Sequence, residues 1–175
     1  MVNMATLRHP VPKKLLTLIG DMSVSYALLE SSLQDLAASL IEEHQRICQI
    51  ILCEGSLRQL LAMIESLYKE RHGEDGDYTQ LKNFLKNADL ANQRRNAIIH
   101  SVWVAGDNAK SVVRIKMTAK KTYRVVSEKI DQVLLQSLID EIQELAQNIL
   151  YFRLRLIQNK KAFNNPVRGK PKCYF

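Results

Sequence analysis

The sequence predicts a mainly α protein, a bundle of four to five helices with a small β-hairpin or three-stranded meander inserted before the last long helix. Apolar residues recur at helical spacing through most of the chain. The period changes once, in a β-branched stretch beyond residue 110. The 175 residues are enough for one domain that buries roughly 70% of the surface an unfolded chain exposes. No disulfide framework is needed. Cys48, Cys53 and Cys173 are an odd number without repeated spacing, which points to a reducing, cytoplasmic setting.

The first helix rests on Leu15, Ile19, Met22, Tyr26, Leu29, Leu33, Leu36 and Leu40, spaced alternately four and three, a stripe about seven turns long. Its early apolar run, LLTLIG, is far too short to span a bilayer. The segment EEHQRICQIILCEGS interrupts the pattern. Leu57, Leu60, Leu61, Ile64, Leu67 and Tyr68 form a second helix with Ser56 as its N-cap. RHGEDGD is a loop. A third long helix is expected from about Tyr78 to Val102. AGDNAK then reads as a turn, and SVVRIKM and KTYRVV as strands joined by TAKK. Leu135, Leu138, Ile142, Leu145, Ile149, Phe152 and Leu156 mark the last long helix. A single domain is thus expected over 1–157, with the β insertion at about 101–127 and a basic flexible tail over 158–175.

The net charge of +7 is unevenly placed. Residues 153–175 hold seven Lys or Arg and no acid, so the rest of the chain balances at 18 basic and 18 acidic residues. A second basic cluster comprises Lys110, Arg114, Lys116, Lys120, Lys121 and Arg124. Such clusters attract phosphates, although charge runs are most often solvated faces.

The third long helix breaks the rule that the others obey. Its inner stripe runs Phe84, Ala88, Ala91, Arg95, Ile98, Val102, with a guanidinium in an apolar series. A second stripe carries Asp89, Gln93, Asn96, His100 and Trp103. Asn96 and His100, four apart, share a face. Arg95 and His100, five apart, are separated by about 140° around a straight helix. A charge on a core-facing position is costly unless compensated. One account is an internal partner, a carboxylate or a carbonyl. The other is that Arg95 faces a ligand or a second subunit. RNA cleavage through the 2′-hydroxyl uses this inventory: a group that titrates near neutrality to move protons, and a fixed cation for the phosphate. It requires no metal and no cofactor.

The hexapeptide RNAIIH (Arg95, Asn96, His100), together with the following Ser-Val-Trp and the strands before the last helix, resembles the HEPN superfamily (higher eukaryotes and prokaryotes nucleotide-binding) over roughly residues 12–157. The resemblance implies a HEPN-like helical bundle and a metal-independent endoribonuclease leaving a 2′,3′-cyclic phosphate and a 5′-hydroxyl. It implies Arg95, Asn96 and His100 as catalytic residues and a homodimer through the third long helix. It also implies RNA as substrate, a toxin–antitoxin or antiphage setting, and an antitoxin or other defence partner protein. Arg94, six before His100, also fits the loose pattern and joins the basic cluster as an expected RNA contact. The competing expectation is a non-catalytic helical module that binds protein or nucleic acid, with Arg95 and His100 in a structural network. His44, Cys48 and Cys53 lack a second ligand pair for zinc, and GEDGD lacks a calcium-loop ligand ladder. No metal site or membrane segment is expected.

Overall fold

The computed structural model describes residues 10–41, 44–105, 112–118 and 124–164. Among them the fold is mainly α, with five helices and one three-stranded antiparallel sheet before the last long helix. The elements are α1 (Lys13–Ile41), α2 (Gln45–Leu52), α3 (Leu57–His72), α4 (Gly76–Ile99), β1 (Val102–Ala105), β2 (Val112–Thr118), β3 (Arg124–Ile130) and α5 (Gln132–Asn164). The third long helix of the sequence is therefore α4, because the short α2 intervenes.

The chain forms two compact units. One draws on Met1–Leu29 and Leu85–Leu145, the other on Glu30–Phe84 and Ala146–Phe175, so α1, α4 and α5 each give one part to either unit. In the first unit the core is Leu15, Met22, Tyr26 and Leu29 from α1, Leu85, Ala88, Ala91 and Ile98 from α4, and Leu135, Leu138, Ile139 and Ile142 from α5. Val112 and Ile130 close it from the sheet at 1% exposure. The second unit buries Leu33, Leu36 and Leu40 of α1, Leu60, Ile64 and Tyr68 of α3, Leu81 of α4, and Ile149, Phe152 and Leu156 of α5. Each fully buried leucine contributes about 1.5–3 kcal/mol. Rings fill the second core too: Phe84 meets Phe152 edge-on at 5.8 Å, and Tyr68 stacks on His72 at 4.7 Å.

Helix boundaries differ from the sequence expectation at four places. The supposed interruption after α1 contains α2, whose first turn is capped by His44 Nδ1 accepting from the Arg46 N–H at 3.4 Å. Eight residues give too few repeats for a stripe to stand out, yet Cys48 and Leu52 are buried while Ile47, Ile50 and Ile51 are exposed. The loop before α4 is shorter than RHGEDGD. α3 runs through His72, Gly73 ends it with a φ of 72°, and Asp75 caps α4 by accepting from the Asp77 and Tyr78 N–H groups. At its far end α4 stops at Ile99, and Val102 and Trp103 belong to β1. β-branched Val102 and Val104 favour the strand, which pairs with β2 in the register Val102↔Ile115, Trp103↔Arg114. Finally, α5 continues through Asn164. Apolar periodicity fades near residue 157, but QNKKAFN contains no helix breaker before Pro166, and the residue preceding a proline avoids the helical region. Of the tail expected over 158–175, residues 165–175 lie outside the described residues.

The sheet is a meander in the order β1-β2-β3. Its register places Arg114 opposite both Trp103 and Glu128, and Val112 opposite Ile130. Residues that alternate with these, Val102, Val104, Met117 and Val125, are 36–58% exposed.

Candidate functional site

Arg95 lies on the buried stripe of α4, one turn before Ile98 and one after Ala91, both inside the core. Its guanidinium carbon stands 5.3 Å from the centroid of the Tyr26 ring on α1. The Tyr26 hydroxyl donates to Asn92 Oδ1 at 2.9 Å, and Asn96 Nδ2 donates to the same oxygen at 2.9 Å. Arg95 Nη1 in turn donates to Asn96 Oδ1 at 2.9 Å. Four side chains thus form a ring: arginine over tyrosine, tyrosine to Asn92, Asn92 to Asn96, Asn96 back to arginine. Helical spacing builds most of it, since Asn92 and Asn96 are four apart and Asn92 and Arg95 three apart.

What compensates Arg95 is an aromatic face and an amide oxygen. No described carboxylate comes within ion-pair range of its guanidinium. Cation–π attraction is worth about 0.5–2 kcal/mol, which orients the charge without neutralising it. Arg95 Nε is buried and has no acceptor among the described residues. A half-buried guanidinium is therefore held in a fixed pose with its charge uncancelled and one donor unused. A phosphate oxygen or carboxylate meeting the part of the guanidinium that is not buried would supply the missing countercharge.

His100 sits in the turn just beyond α4. Its N–H donates to the Asn96 carbonyl at 3.0 Å, extending the helical ladder by one residue. The side chain is exposed and makes no hydrogen bond to a described residue. The chain brings Arg95 and Asn96 into direct contact, and it ties the His100 backbone to Asn96. No contact joins the Arg95 and His100 side chains within one chain, in keeping with their angular separation on the helix.

The expected RNA contacts fare differently. Arg94 is exposed and pairs with Glu141 at 2.5 Å. Arg114 is largely covered. It pairs with Glu128 and its Nη1 reaches the Ala97 carbonyl and Ser101 Oγ, each at 3.4 Å. Lys116 lies on β2 and Arg124 opens β3; Lys110, Lys120 and Lys121 lie outside the described residues. Among the described residues, no group of three His, Cys, Asp or Glu is placed to hold a metal ion, and no helix is long and apolar enough to cross a membrane. Cys48 is buried, with its thiol 3.9 Å from the Ala38 carbonyl, whereas Cys53 is exposed.

Asn92 and Tyr26 are the residues that sequence reading passed over. Tyr26 was legible as core, but its hydroxyl needs a partner when buried, and that need was the available signal. Asn92, one turn before Asn96 and on its face, was the other.

No family model, curated protein or solved structure matches this chain.

Proposed function

We propose that the protein is a metal-independent endoribonuclease of the HEPN type. The observation that carries the reading is the state of Arg95: held by Tyr26 and Asn96, half-buried, and without a carboxylate partner among the described residues. A structural arginine at a core-facing position is ordinarily neutralised by an acid. One kept cationic and oriented suits a pentavalent phosphate.

In this reading His100 takes the proton from the ribose 2′-hydroxyl, and the 2′-oxygen attacks the adjacent phosphorus. Arg95 stabilises the charge that builds on the equatorial oxygens. The 5′-oxygen leaves with a proton returned by imidazole, giving a 2′,3′-cyclic phosphate and a 5′-hydroxyl. Asn96 fixes the arginine through Oδ1. Because Arg95 and His100 do not meet within one chain, the productive site is formed by two copies about a two-fold axis along α4. Arg94, Lys116 and Arg124 add affinity for the RNA. A cytoplasmic toxin–antitoxin or antiphage role, with a partner protein restraining the nuclease, is the setting in which such an activity would be used.

A second reading has its own support. The Tyr26–Asn92–Asn96–Arg95 ring closes on itself, as a purely structural network would, and the chain would then be a non-catalytic binding module. One experiment separates the two. Wild type, His100→Ala and Arg95→Ala are incubated with mixed RNA in excess EDTA, fragment ends are analysed, and each melting temperature is recorded. The ribonuclease reading expects wild type alone to leave cyclic-phosphate ends, with His100→Ala inactive at an unchanged melting temperature because its side chain is exposed. Cleavage by His100→Ala at the wild-type rate sinks it. Inactivity of all three, with a large melting loss confined to Arg95→Ala, is the result the binding module expects.

A further inference from the structure

The first unit contains a cleft of about 450 Å³ that the cleavage chemistry does not use. Such a volume lies within the roughly 300–1,000 Å³ typical of small-molecule sites. Its apolar lining is Ile98 of α4, Ile130 of β3, and Leu134 and Leu138 of α5. Polar groups line it from four elements. Arg94 of α4 and Glu141 of α5 form one pair, and Arg114 of β2 and Glu128 of β3 form the other.

The two pairs differ in what they leave available. Arg114 is spent: it is anchored by the Ala97 carbonyl and Ser101, and its remaining nitrogens engage only Oε2 of Glu128. Glu128 is thereby oriented while its Oε1 stays open. Arg94 touches Glu141 through a single nitrogen, and both side chains are 56% exposed. A pair so exposed contributes little and opens readily, freeing the planar donor fork of Arg94. Glu141 would keep its hydrogen bond from Ser137 Oγ at 3.3 Å.

Two arginines and two glutamates cancel, so the cleft suits a neutral group. Its apolar lining suits a flat ring, and its walls present a fixed carboxylate and a guanidinium fork. We infer that this cleft is a guanine-binding subsite, which reads the base of a nucleotide next to the RNA bond that is cut. Guanine carries two adjacent N–H donors, at N1 and N2, that converge on the open Oε1 of Glu128, and two adjacent acceptors, O6 and N7, for the fork of Arg94. Uracil places carbonyls on both sides of its one N–H, against the carboxylate. Adenine and cytosine offer an amino group without a second donor beside it. Ala97 and Gln93 of the cleft lie three and seven residues before His100, on its side of α4, so a base held here has its backbone toward the proposed proton-transfer residue. The inference rests on the ribonuclease reading for its role, but not for its test.

That test is calorimetric titration of the full chain with GMP, AMP, CMP and UMP, which share ribose and phosphate, so that differences report the base. GMP is expected to bind about ten-fold or more tighter than each of the others, the discrimination of one good bidentate contact. Arg94→Ala, a change at an exposed side chain, is expected to abolish that advantage without lowering the melting temperature, and Glu128→Gln to abolish it likewise. A smaller advantage in the wild type, or an advantage that survives Arg94→Ala, overturns the inference. Binding is measured without cleavage. Guanine selectivity in a chain that cuts no RNA would retain the subsite and remove the nuclease; RNA cleavage by a chain without that selectivity would do the reverse.

Discussion

Tyr68 shows how much one hydroxyl decides. Its ring is fully buried, and its hydroxyl donates to both carboxylate oxygens of Asp75 at 2.9 and 3.1 Å. Burial, and then the hydrogen bond to Asp75, push the phenol well above its ordinary value of 10.0. A group whose folded pKa is raised contributes stability that is full below the unfolded value and lost above it, because only the unfolded chain then gives up its proton. The melting temperature is therefore expected to fall as pH rises through 10, and Tyr68→Phe should flatten that fall. At neutral pH the same substitution should cost about 1.5–3 kcal/mol, the worth of a hydrogen bond to a charged acceptor. Equal slopes for the two proteins across the alkaline range would show that Tyr68 is not the group responsible. The residue scale is also where the candidate site was most legible. An arginine in an apolar series, with asparagine beside it and histidine one turn on, stands out because each breaks a helical pattern. What compensated Arg95 was not legible. Tyr26 is 69 positions away, and nothing local in the sequence says that an aromatic face takes the place of a carboxylate.

Helices are legible in the sequence where their stripes are long. α1 and α5 repeat their apolar pattern over many turns, and nearly every residue assigned to those stripes is buried; Ile19 is partly exposed. α2 escaped because eight residues hold barely two turns of pattern. The end of α4 was misplaced because Val102 extends the helical period by arithmetic, while its strand pairing with Ile115 is a long-range fact. Caps are more legible than ends. Ser56 starts α3 through a reciprocal arrangement: its Oγ accepts from the Gln59 N–H, and Gln59 Oε1 accepts from the Ser56 N–H at 2.9 Å. Ser56→Ala removes the first of these and should cost about 1 kcal/mol, or about 2–4 °C in melting temperature for a chain of this size. A urea or thermal melt checks it, and an unchanged midpoint would mean that the Gln59 contact alone sustains the cap.

For the molecule as a whole, the decisive question is whether the proposed site belongs to one chain or two. If Arg95 comes from one copy and His100 from the other, Arg95→Ala and His100→Ala each abolish activity alone but complement each other when mixed. Half of the re-equilibrated dimers are then heterodimers, each with one intact site of two, so about one quarter of wild-type cleavage should return. A mixture as inactive as its parents would exclude a composite site. The division into two compact units bears on every attempt to take this protein apart. The backbone passes between the units three times, and each passage falls inside a helix, at Leu29–Glu30 of α1, Phe84–Leu85 of α4 and Leu145–Ala146 of α5. No single uninterrupted fragment of the gene encodes either half, so a split reporter or truncation aimed at a boundary would sever a helix. During synthesis neither half can close early. The first waits for residues near 145 and the second for α5 beyond them, so the emerging chain keeps unpaired apolar stripes until α5 has been made.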